Sequence, residues 1–416
     1  MASLPSGSVD LTPEVLAEQV EQALHTHTLS AWFPRCIDAV EGGFHQDFSR
    51  DWTRGGRQPR SVVFQARMTW AVATIARRRP AIAPALAGLV AHGMNCLQAT
   101  FWDRQAGGLM FYEGQPASKH SYGVAFGLVA AAAAYRQCGS ADHLAFATQL
   151  FDWWDSHLHD GKCSGYFETL DRYGQPATCA RGPASPGERD CIGTPYGLRS
   201  SNTLIHAVEA LTEFYLASEG EAVRARLEES VDLLERLVTR GSQRLYRYFD
   251  ADWSPVDRAR SYGHDVETCF LVARARRALG WAGHSPIRRL GENALSRGYD
   301  RRYGGLYSGQ RRGSCGRDRA KIWWVQAELL NYLASELNAA TPGSTRVLQR
   351  IRQTWRFIAE CQLDAQHSGW FDTLSRDGAR VLRADKGGPW KAVYHEVRAL
   401  LNAADALRSL DTASGP

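Results

Sequence analysis

The pattern of apolar positions along the chain is dominated by a period of three to four residues, which is typical of amphipathic α-helices. Twelve segments show this period. We predict helices over residues 10–31, 61–79, 82–99, 119–138, 141–158, 199–218, 222–240, 263–280, 285–298, 316–338, 343–361 and 391–410. Strand-like alternation is confined to short stretches between these segments, so the sequence predicts an all-α fold class.

A short motif of small and aromatic residues recurs between pairs of predicted helices. Its six copies, most of which follow an aspartate, are Gly42-Gly43-Phe44, Gly107-Gly108-Leu109, Ser164-Gly165-Tyr166, Arg247-Tyr248-Phe249, Gly304-Gly305-Leu306 and Ser368-Gly369-Trp370. Glycine followed by alternating apolar and polar residues predicts short β-hairpins. Six units of two helices and a hairpin then predict a single domain over residues 1–416. Its architecture would be an (α/α)6 barrel of six inner and six outer helices with short β-hairpins between the repeats. A superhelical α-solenoid is the alternative, although its repeats are usually shorter and lack hairpins.

The longest interval between motif copies contains residues 171–198, which carry four prolines and several glycines without a helical pattern. Loops of this length inside a compact domain are usually either functional or disordered. A lid over a functional site and a disordered connection therefore both remain open for this segment.

Composition excludes several classes of protein. The net charge is +5, and the longest basic run is Arg77-Arg78-Arg79, which gives no electrostatic signature of nucleic-acid binding. No apolar run approaches the ~20 residues of a membrane span, and the N-terminus lacks the features of a signal peptide. We therefore expect a cytoplasmic protein with neither a nucleic-acid nor a membrane partner.

The nine cysteines form no C-x-x-C pair, and the nearest two, Cys179 and Cys191, are 12 residues apart. This spacing is typical of neither a zinc knuckle nor a redox dithiol, so we expect reduced thiols without a metal role. Thirteen Trp, 15 Tyr and 15 Phe make the chain rich in aromatic rings, which suit the faces of sugars.

Polar, ionisable and aromatic residues gather on four of the predicted helices. They are Asn202, His206 and Glu209; His264 and Glu267; Trp324 and Glu328; and Lys391, His395 and Arg398, with helical spacing within each set. Residues three, four or seven apart share one helix face. A single helical histidine or ion pair is usually structural, but three histidine-bearing faces at the same phase of three repeats would converge at the barrel axis. A buried centre of this composition is costly unless it has a function.

These motifs resemble those of the N-acylglucosamine 2-epimerase superfamily, over nearly the full chain from Trp32 to Arg398. The matching segments are Gln65-Ala66-Arg67, Asn202 with His206, Gly-His-Asp-Val-Glu at 263–267, Lys-x-Trp-Trp-x-Gln-Ala-Glu at 321–328 and Pro-Trp-Lys-x-x-Tyr-His at 389–395. The resemblance implies an isomerase with an (α/α)6 barrel and proton transfer by two histidines. Within the superfamily, the chain looks most like mannose 2-epimerases, although cellobiose 2-epimerases share most of the motifs.

The resemblance also implies roles for individual residues. His264 and His395 look like the acid/base pair, and His206 looks like a third pocket histidine that helps to open the sugar ring. The implied substrate contacts are Arg67, Tyr122, Asn202, Glu267, Trp324 and Trp390.

The chemistry of C2 epimerisation fits this set of residues. Once an aldose ring opens, the aldehyde makes the C2 hydrogen acidic, and inversion needs a base on one face and an acid on the other. Histidine, with an ordinary pKa of ~6.5, suits both tasks, and Arg67 would stabilise the cis-enediolate. We expect a small-molecule sugar substrate with no metal and no cofactor, because no hydride moves. An aldose–ketose isomerase would use the same groups and return the proton to C1.

Three other classes of function stay open on the residues alone. A glycoside hydrolase needs two carboxylates, for which Asp265, Glu267 and Glu328 are candidates. A metal-dependent isomerase would use the three histidines and Glu267 as ligands, although no typical zinc spacing supports it. A non-catalytic sugar-binding protein would keep the tryptophans but has no use for paired imidazoles.

Overall fold

The computed structural model describes residues 11–56, 59–177, 188–257, 259–310, 317–337 and 343–412. As the sequence predicts, the chain is mostly helical. Within those ranges, twelve α-helices are eight residues or longer: α1 (Pro13–Ala23), α2 (Val62–Arg78), α3 (Ala83–Cys96), α4 (Ser121–Cys138), α5 (Ala141–Leu158), α6 (Ser201–Ser218), α7 (Glu221–Arg240), α8 (Tyr262–Ala278), α9 (Arg288–Gly298), α10 (Trp323–Ser335), α11 (Ser344–Phe357) and α12 (Tyr394–Thr412).

The even-numbered helices contact one another in a closed cyclic order. Helix α2 packs against α4, α4 against α6, α6 against α8, α8 against α10, α10 against α12, and α12 returns to α2. Each odd-numbered helix packs mainly against one member of this ring, with α1 against α12 and α3, α5, α7, α9 and α11 against the helix before each. The burial pattern explains the two roles, because α2 buries every residue from Val62 to Ala76 whereas α11 buries a single stripe.

Two predicted helices begin later than their apolar pattern indicates. The segment predicted as helix from residue 316 contains two strands before α10 begins at Trp323. The buried Lys321 side chain, whose Nζ donates to the Gly304 carbonyl and lies 3.7 Å from Asp300 Oδ2, holds this stretch in extended form. The prediction was wrong here because tertiary partners, rather than periodicity, decide the backbone of this segment.

The helix predicted from residue 391 begins instead at Tyr394. Lys391 Nζ donates to the Trp370 carbonyl at 2.8 Å and to the Asp385 carbonyl at 2.6 Å. Lys391 therefore stabilises the turn before α12, and the prediction that it shares a helix face with His395 was wrong.

The strands form four three-stranded antiparallel sheets. They are β1–β3 (Met110–Tyr112, Gln115–His120, Thr169–Leu170), β4–β6 (Arg199–Ser200, Tyr248–Phe249, Pro255–Asp257), β7–β9 (Arg260–Ser261, Gly309–Gln310, Arg317–Asp318) and β10–β12 (Lys321–Ile322, Thr373–Leu374, Val381–Arg383). In each sheet one strand leads directly into an even-numbered helix: β2 into α4, β4 into α6, β7 into α8 and β10 into α10. The sheets therefore fix where four helices of the ring begin.

Five of the six predicted motif copies form the same tight turn. In each, the N–H of an aspartate donates to the carbonyl of a glycine five residues later at 2.8–2.9 Å, and the pairs are 38/43, 103/108, 160/165, 300/305 and 364/369. These glycines all have φ between +70° and +76°, a region that favours glycine. The sixth copy, Arg247-Tyr248-Phe249, forms the predicted hairpin through strands β5 and β6 and not through this turn. It contributes to strand β5, because it lacks the aspartate and glycine that close the other turns.

One continuous hydrophobic core runs through the described residues from Leu16 to Leu407. The domain boundaries of 1–416 stay a prediction, since residues 1–10 and 413–416 lie outside the described ranges. The seven described cysteines are free, and Cys179 and Cys315 lie outside those ranges. No single described helix is long and apolar enough to cross a membrane. One pair of helical segments, Pro80–Leu86 and Gly88–Phe101, is together long and apolar enough but is bent at the break between them.

Candidate active site

A cavity of about 270 Å³ lies where the helices of the ring begin. Its lining residues are Arg67, Tyr122, Ile192, Asn202, His206, His264, Glu267, Trp323, Trp324, Trp390 and His395. All nine residues that the sequence analysis assigned to the site line this one cavity. The structure therefore brings together side chains that lie more than 300 positions apart in the sequence.

Five of the nine site residues lie in the first turns of the ring helices. Tyr122, Asn202, Trp324 and His395 are each the second residue of their helix, and His264 is the third residue of α8. A helix N-terminus carries unpaired N–H groups and a partial positive charge. Several helices thus direct their positive ends towards the cavity, which favours a ligand that carries or develops negative charge.

Side-chain caps determine where these helices start. Ser200 Oγ accepts from the Thr203 N–H at 3.0 Å, and Ser261 Oγ accepts from the His264 N–H at 3.3 Å. Serine is a favoured cap because its oxygen replaces the missing carbonyl of the preceding turn. The caps and the preceding strands together fix the rotation of each helix and hence the direction of its site residues.

The two predicted acid/base histidines lie against the same indole ring. His264 on α8 lies 4.8 Å from the Trp324 ring, centroid to centroid, and His395 on α12 lies 5.6 Å from it. Gly263 permits this packing, since a Cβ at that position would lie 2.6 Å from the Trp324 ring. Trp324 is therefore a shared wall between two histidines from separate helices.

Both histidines are uncharged at neutral pH. Burial lowers the pKa of His264 to about 3, and the positive charge of Arg247 acts in the same direction. Burial also lowers the pKa of His395 well below its ordinary value, with further lowering by the charges of Arg67 and Arg398. A neutral imidazole has one nitrogen with a free lone pair, so each ring can accept a proton.

Beneath the cavity, one arginine lies among three buried glutamates. Arg398 Nη1 lies 2.8 Å from Glu209 Oε1, and Nη2 lies 2.5 Å from Glu267 Oε1 and 2.6 Å from Glu328 Oε1. A single guanidinium cannot neutralise three carboxylates in a low-dielectric interior. Burial raises the pKa of both Glu267 and Glu328, and repulsion from the other carboxylates adds to the effect. Glu209 is the exception, because Arg398 and His206 outweigh its burial and lower its pKa to about 2.

Two of these glutamates also orient histidines. Glu328 Oε1 lies 2.7 Å from His395 Nδ1, and Glu209 Oε2 lies 2.8 Å from His206 Nδ1. The Nδ1 atom of each ring is therefore engaged below the cavity, which leaves Nε2 for a ligand. His206 Nε2 lies 4.0 Å from Glu267 Oε1. A carboxylate at Nδ1, as Glu328 and Glu209 provide, fixes both the tautomer and the orientation of an imidazole.

Arg67 is held in place at the wall of the cavity. Its Nη1 donates to the Trp390 carbonyl and its Nη2 donates to the Tyr122 hydroxyl, each at 2.9 Å. Arg67 Nε and Asn202 Oδ1 are buried, and neither has a hydrogen-bond partner within the described ranges. A ligand with hydroxyl groups could satisfy such atoms.

The carboxylates do not fit the other chemical classes well. Asp265 Oδ2 accepts from Arg260 Nε at 2.8 Å, and of the three carboxylates considered for hydrolysis only Glu267 lines the cavity. Glu267, Glu328 and His395 offer ligand atoms within 4.8 Å of one another, a spacing that could hold a cation. Arg398 already places its positive charge among these atoms.

Sequence analysis missed two lining residues, Ile192 and Trp323. Trp323 belongs to a motif that the analysis identified, but only its neighbour Trp324 was assigned to the site. Ile192 carried no signal, because it is a single apolar residue in the irregular segment 171–198. Residues 178–187 of that segment lie outside the described ranges, so the predicted lid as a whole is not described.

Comparison with known proteins gives one consistent result. A sequence profile of the N-acylglucosamine 2-epimerase (GlcNAc 2-epimerase) family matches residues 42–399. The chain is 27% identical over 410 residues to cellobiose 2-epimerase of Bacteroides fragilis, covering 92% of this chain and 97% of that protein. It is 24% identical over 391 residues to D-mannose isomerase of Marinomonas mediterranea, covering 89% and 93%.

Comparison with solved structures points to the same family of proteins. The structure of cellobiose 2-epimerase from Spirochaeta thermophila superposes with a TM-score of 0.84 at 25% identity, covering 98% of this chain and all of that one. The profile match spans most of the chain, and these relatives are epimerases or an isomerase. This chain therefore belongs to the N-acylglucosamine 2-epimerase family and is an enzyme of the isomerase class.

Proposed function

We propose that this enzyme interconverts the C2 epimers of an aldose of the mannose/glucose type by proton transfer between two histidines. The observation that carries the proposal is the arrangement of His264 and His395, which line one cavity, come from separate helices and lie against the same face-forming residue, Trp324. An imidazole on each side of a planar intermediate is what inversion at a carbon requires.

The proposal includes the architecture that holds the site. The closed cyclic contacts of six inner helices, each with one outer partner, support an (α/α)6 barrel, and a solenoid has no reason to return its last helix to its first. Because each inner helix begins at the cavity, a barrel places one first turn per repeat around the substrate.

The reaction begins with a neutral histidine. After the sugar ring opens, the Nε2 or Nδ1 lone pair of His264 removes the proton from C2 of one epimer, and the electron pair moves to the C1 oxygen to form the cis-enediolate. The low pKa of His264, set by burial, keeps its ring unprotonated and ready to accept. Proton transfer by a positioned side chain typically contributes about 10²–10⁴ in rate.

The second proton comes from the His395–Glu328 pair. Burial raises the pKa of Glu328, and its Oε1 lies 2.7 Å from His395 Nδ1. As His395 Nε2 donates its proton to C2 from the opposite face, Nδ1 takes a proton from Glu328, so His395 stays neutral and Glu328 becomes ionised beside Arg398. Exchange with solvent then moves a proton from His264 to Glu328 and restores the starting state of the enzyme. In the reverse direction each of these transfers runs backwards.

Arg67 and the helix N-termini stabilise the intermediate. The intermediate carries its negative charge on the C1 oxygen, next to the C2 hydroxyl, and the guanidinium of Arg67 is held at the cavity by its bonds to Trp390 and Tyr122. A donor that is oriented before the reaction pays no reorganisation cost when the charge develops. The partial positive ends of the ring helices act in the same sense.

We assign ring opening to His206. Glu209 stays ionised and holds His206 Nδ1 at 2.8 Å, so His206 presents Nε2 to the cavity. There it can remove the proton of the anomeric hydroxyl and, as the bond between C1 and the ring oxygen breaks, return that proton to the ring oxygen. Trp324 and Trp390 supply flat apolar walls for the faces of the sugar.

An aldose–ketose isomerase is the second candidate, because one relative is a D-mannose isomerase and both reactions share the enediolate. A cellobiose 2-epimerase is the third, because several relatives carry that name. The three differ in the carbon that receives the proton and in the length of the sugar.

The test is to supply mannose, glucose, cellobiose and N-acetylmannosamine separately and to identify the products by NMR. The proposal predicts that mannose and glucose interconvert, with kcat/KM higher than for cellobiose. Fructose as the main product would favour the isomerase, and a higher kcat/KM for cellobiose would favour the disaccharide enzyme. No C2 epimer from any of the four sugars would refute the proposal.

A further inference from the structure

One lining residue of the cavity comes from outside the ring of helices. Ile192 lies at the tip of a tight hairpin formed by residues 189–195, in which the Asp190 N–H donates to the Thr194 carbonyl at 2.9 Å. Every other lining residue lies on a ring helix or within four residues of one. The 189–195 hairpin therefore reaches the cavity from the irregular segment that the sequence left unassigned.

Asp190 holds this hairpin at both of its carboxylate oxygens. Oδ1 accepts from the N–H groups of Ile192 at 3.0 Å and Thr194 at 2.8 Å, which closes the turn. Oδ2 lies 3.0 Å from His120 Nε2. One oxygen thus shapes the hairpin, and the other ties it to the end of strand β2.

The contact between Asp190 and His120 connects the hairpin to two helices of the active site. His120 Nδ1 accepts from the N–H of Tyr122 at the start of α4, at 3.0 Å. Glu168, whose Oε2 lies 3.7 Å from His120 Nε2, accepts from the Ser200 N–H and the Thr203 hydroxyl at the start of α6, each at 2.6 Å. We call His120, Glu168 and Asp190 the anchor cluster.

All three members of the anchor cluster are buried, and none lines the catalytic cavity. Their ligand atoms lie within 4.8 Å of one another, a spacing that a metal ion could also use. The hydrogen bonds favour a proton instead. Because His120 Nδ1 accepts an N–H, the ring proton must be on Nε2, where it points to Asp190 and leaves no lone pair for a metal.

A second contact secures the tip of the hairpin. Tyr248 in strand β5 donates its hydroxyl to the Gly193 carbonyl at 2.9 Å, and Arg189 Nη1 donates to the same carbonyl at 2.6 Å. Buried ionisable groups are costly unless their placement has a use. Here their combined effect is to fix one apolar side chain, Ile192, at the cavity.

We propose that Ile192 is a specificity-determining residue that packs on the bound sugar, and that the anchor cluster is the positioning device that holds it there. The inference rests on the proposed function, since the ligand is taken to be a sugar. An isoleucine offers an apolar surface to the C–H groups of a sugar face, as the tryptophans do on the other walls. The anchor cluster sets the depth of this surface in the cavity and so the size of sugar that fits.

Three variants test the inference. Asp190→Asn keeps the Oδ1 acceptor of the turn but directs an NH₂ group towards the Nε2–H of His120. Two donors then face each other, and the hydrogen bond between residue 190 and His120 is lost. Asp171→Asn is the matched control, because Asp171 Oδ1 closes a similar turn, with Tyr173 and Gln175, without contact with the cavity. Ile192→Ala removes the proposed sugar contact and leaves the anchor cluster intact.

The first readout needs no catalysis. Amide hydrogen exchange of the unliganded protein is expected to be at least tenfold faster at residues 192–194 in Asp190→Asn than in the wild type, and unchanged there in Asp171→Asn. Unchanged exchange at the ring helices shows that the variant is folded. Equal exchange in the wild type and Asp190→Asn would overturn the positioning role. So would one equivalent of Zn²⁺ bound by the wild type and lost in Asp190→Asn.

The second readout is sugar binding and turnover. We expect Ile192→Ala and Asp190→Asn to raise KM about tenfold, the size of effect given by lost apolar contacts in a pocket, with kcat reduced less than threefold. A normal KM for Ile192→Ala would overturn the specificity role. If the wild type epimerises none of the sugars tested, the proposed function fails. Tryptophan fluorescence titrations of the wild type, Ile192→Ala and Asp190→Asn with mannose then still decide whether Ile192 contacts a sugar. Weaker binding by both variants supports that contact, and equal binding by all three proteins contradicts it.

Discussion

The charge cluster beneath the cavity gives a prediction about stability that depends on pH. Arg398 is buried and is the cation that Glu209, Glu267 and Glu328 share, at N···O distances of 2.5–2.8 Å. Arg398→Met keeps a long side chain at this position and removes the charge. Leaving a buried charge without its partner costs about 3–5 kcal/mol.

The expected change in melting temperature follows from the size of the chain. At about 2.1 cal/mol/K per residue, the entropy of unfolding of a 416-residue chain is about 0.9 kcal/mol/K. A loss of 3–5 kcal/mol then lowers Tm by about 3–6 °C at pH 8. The glutamates of the variant have pKa values in the folded state that are raised above the unfolded value of about 4.3. The folded variant therefore takes up protons as the pH falls, and its deficit becomes smaller towards pH 5.

Thermal unfolding followed by circular dichroism at pH 5 and pH 8 measures this effect. Arg408→Met is the matched control on the same helix, because Arg408 is about half exposed and pairs with Glu21 at the surface. Such a pair is worth about 0–1 kcal/mol, so we expect a change of about 1 °C or less at either pH. An Arg398→Met deficit that is equal at the two pH values, or absent, would refute the reasoning that this arginine offsets the negative charge of the buried carboxylates.

Three further predictions concern catalysis. Glu328→Gln removes the proton donor to His395 Nδ1, and steady-state kinetics should show kcat lowered about 10²–10³-fold with KM changed less than threefold; a kcat within threefold of wild type would contradict the proton path. Because burial lowers the pKa of His264 to about 3, its ring stays unprotonated well below pH 6.5, and kcat/KM should not fall with the pKa of an ordinary histidine as the pH is lowered. A fall in kcat/KM centred near pH 6.5 would count against this assignment. Arg67→Lys loses the two-pronged contact with Trp390 and Tyr122, and kcat should fall about 10²–10³-fold; a change confined to KM would mean that Arg67 binds the ground state only.

Periodicity and spacing predicted the parts of the molecule that repeat. The twelve helices and five of the turn motifs follow from apolar stripes and from glycines that need positive φ, both of which are local signals. Helical spacing placed His206 with Asn202, and His264 with Glu267, on single helix faces, whereas Arg67, Tyr122 and Trp390 were assigned from the resemblance to the N-acylglucosamine 2-epimerase superfamily. Those faces meet in one cavity because each repeat places the N-terminal part of its ring helix there.

The missed features depend on contacts between distant parts of the chain. The extended stretch before α10 is held by the burial of Lys321 against Asp300 and Gly304, and no window of neighbouring residues contains that information. Ile192 lies on a hairpin whose Asp190 contacts His120, 70 positions earlier. Such pairings follow from the assembled fold and not from a local pattern.

Deuterium exchange in variants that lack one histidine tests the central claim most directly. With His264→Asn and His395→Asn, each incubated with mannose and with glucose in D₂O, ¹H NMR follows the loss of the C2–H signal. If the two rings act on opposite faces, each variant exchanges the C2 hydrogen of one epimer only, the variants select opposite epimers, and neither forms the other sugar at an appreciable rate. Exchange of the same epimer by both variants, or wild-type product without deuterium at C2, would contradict the account.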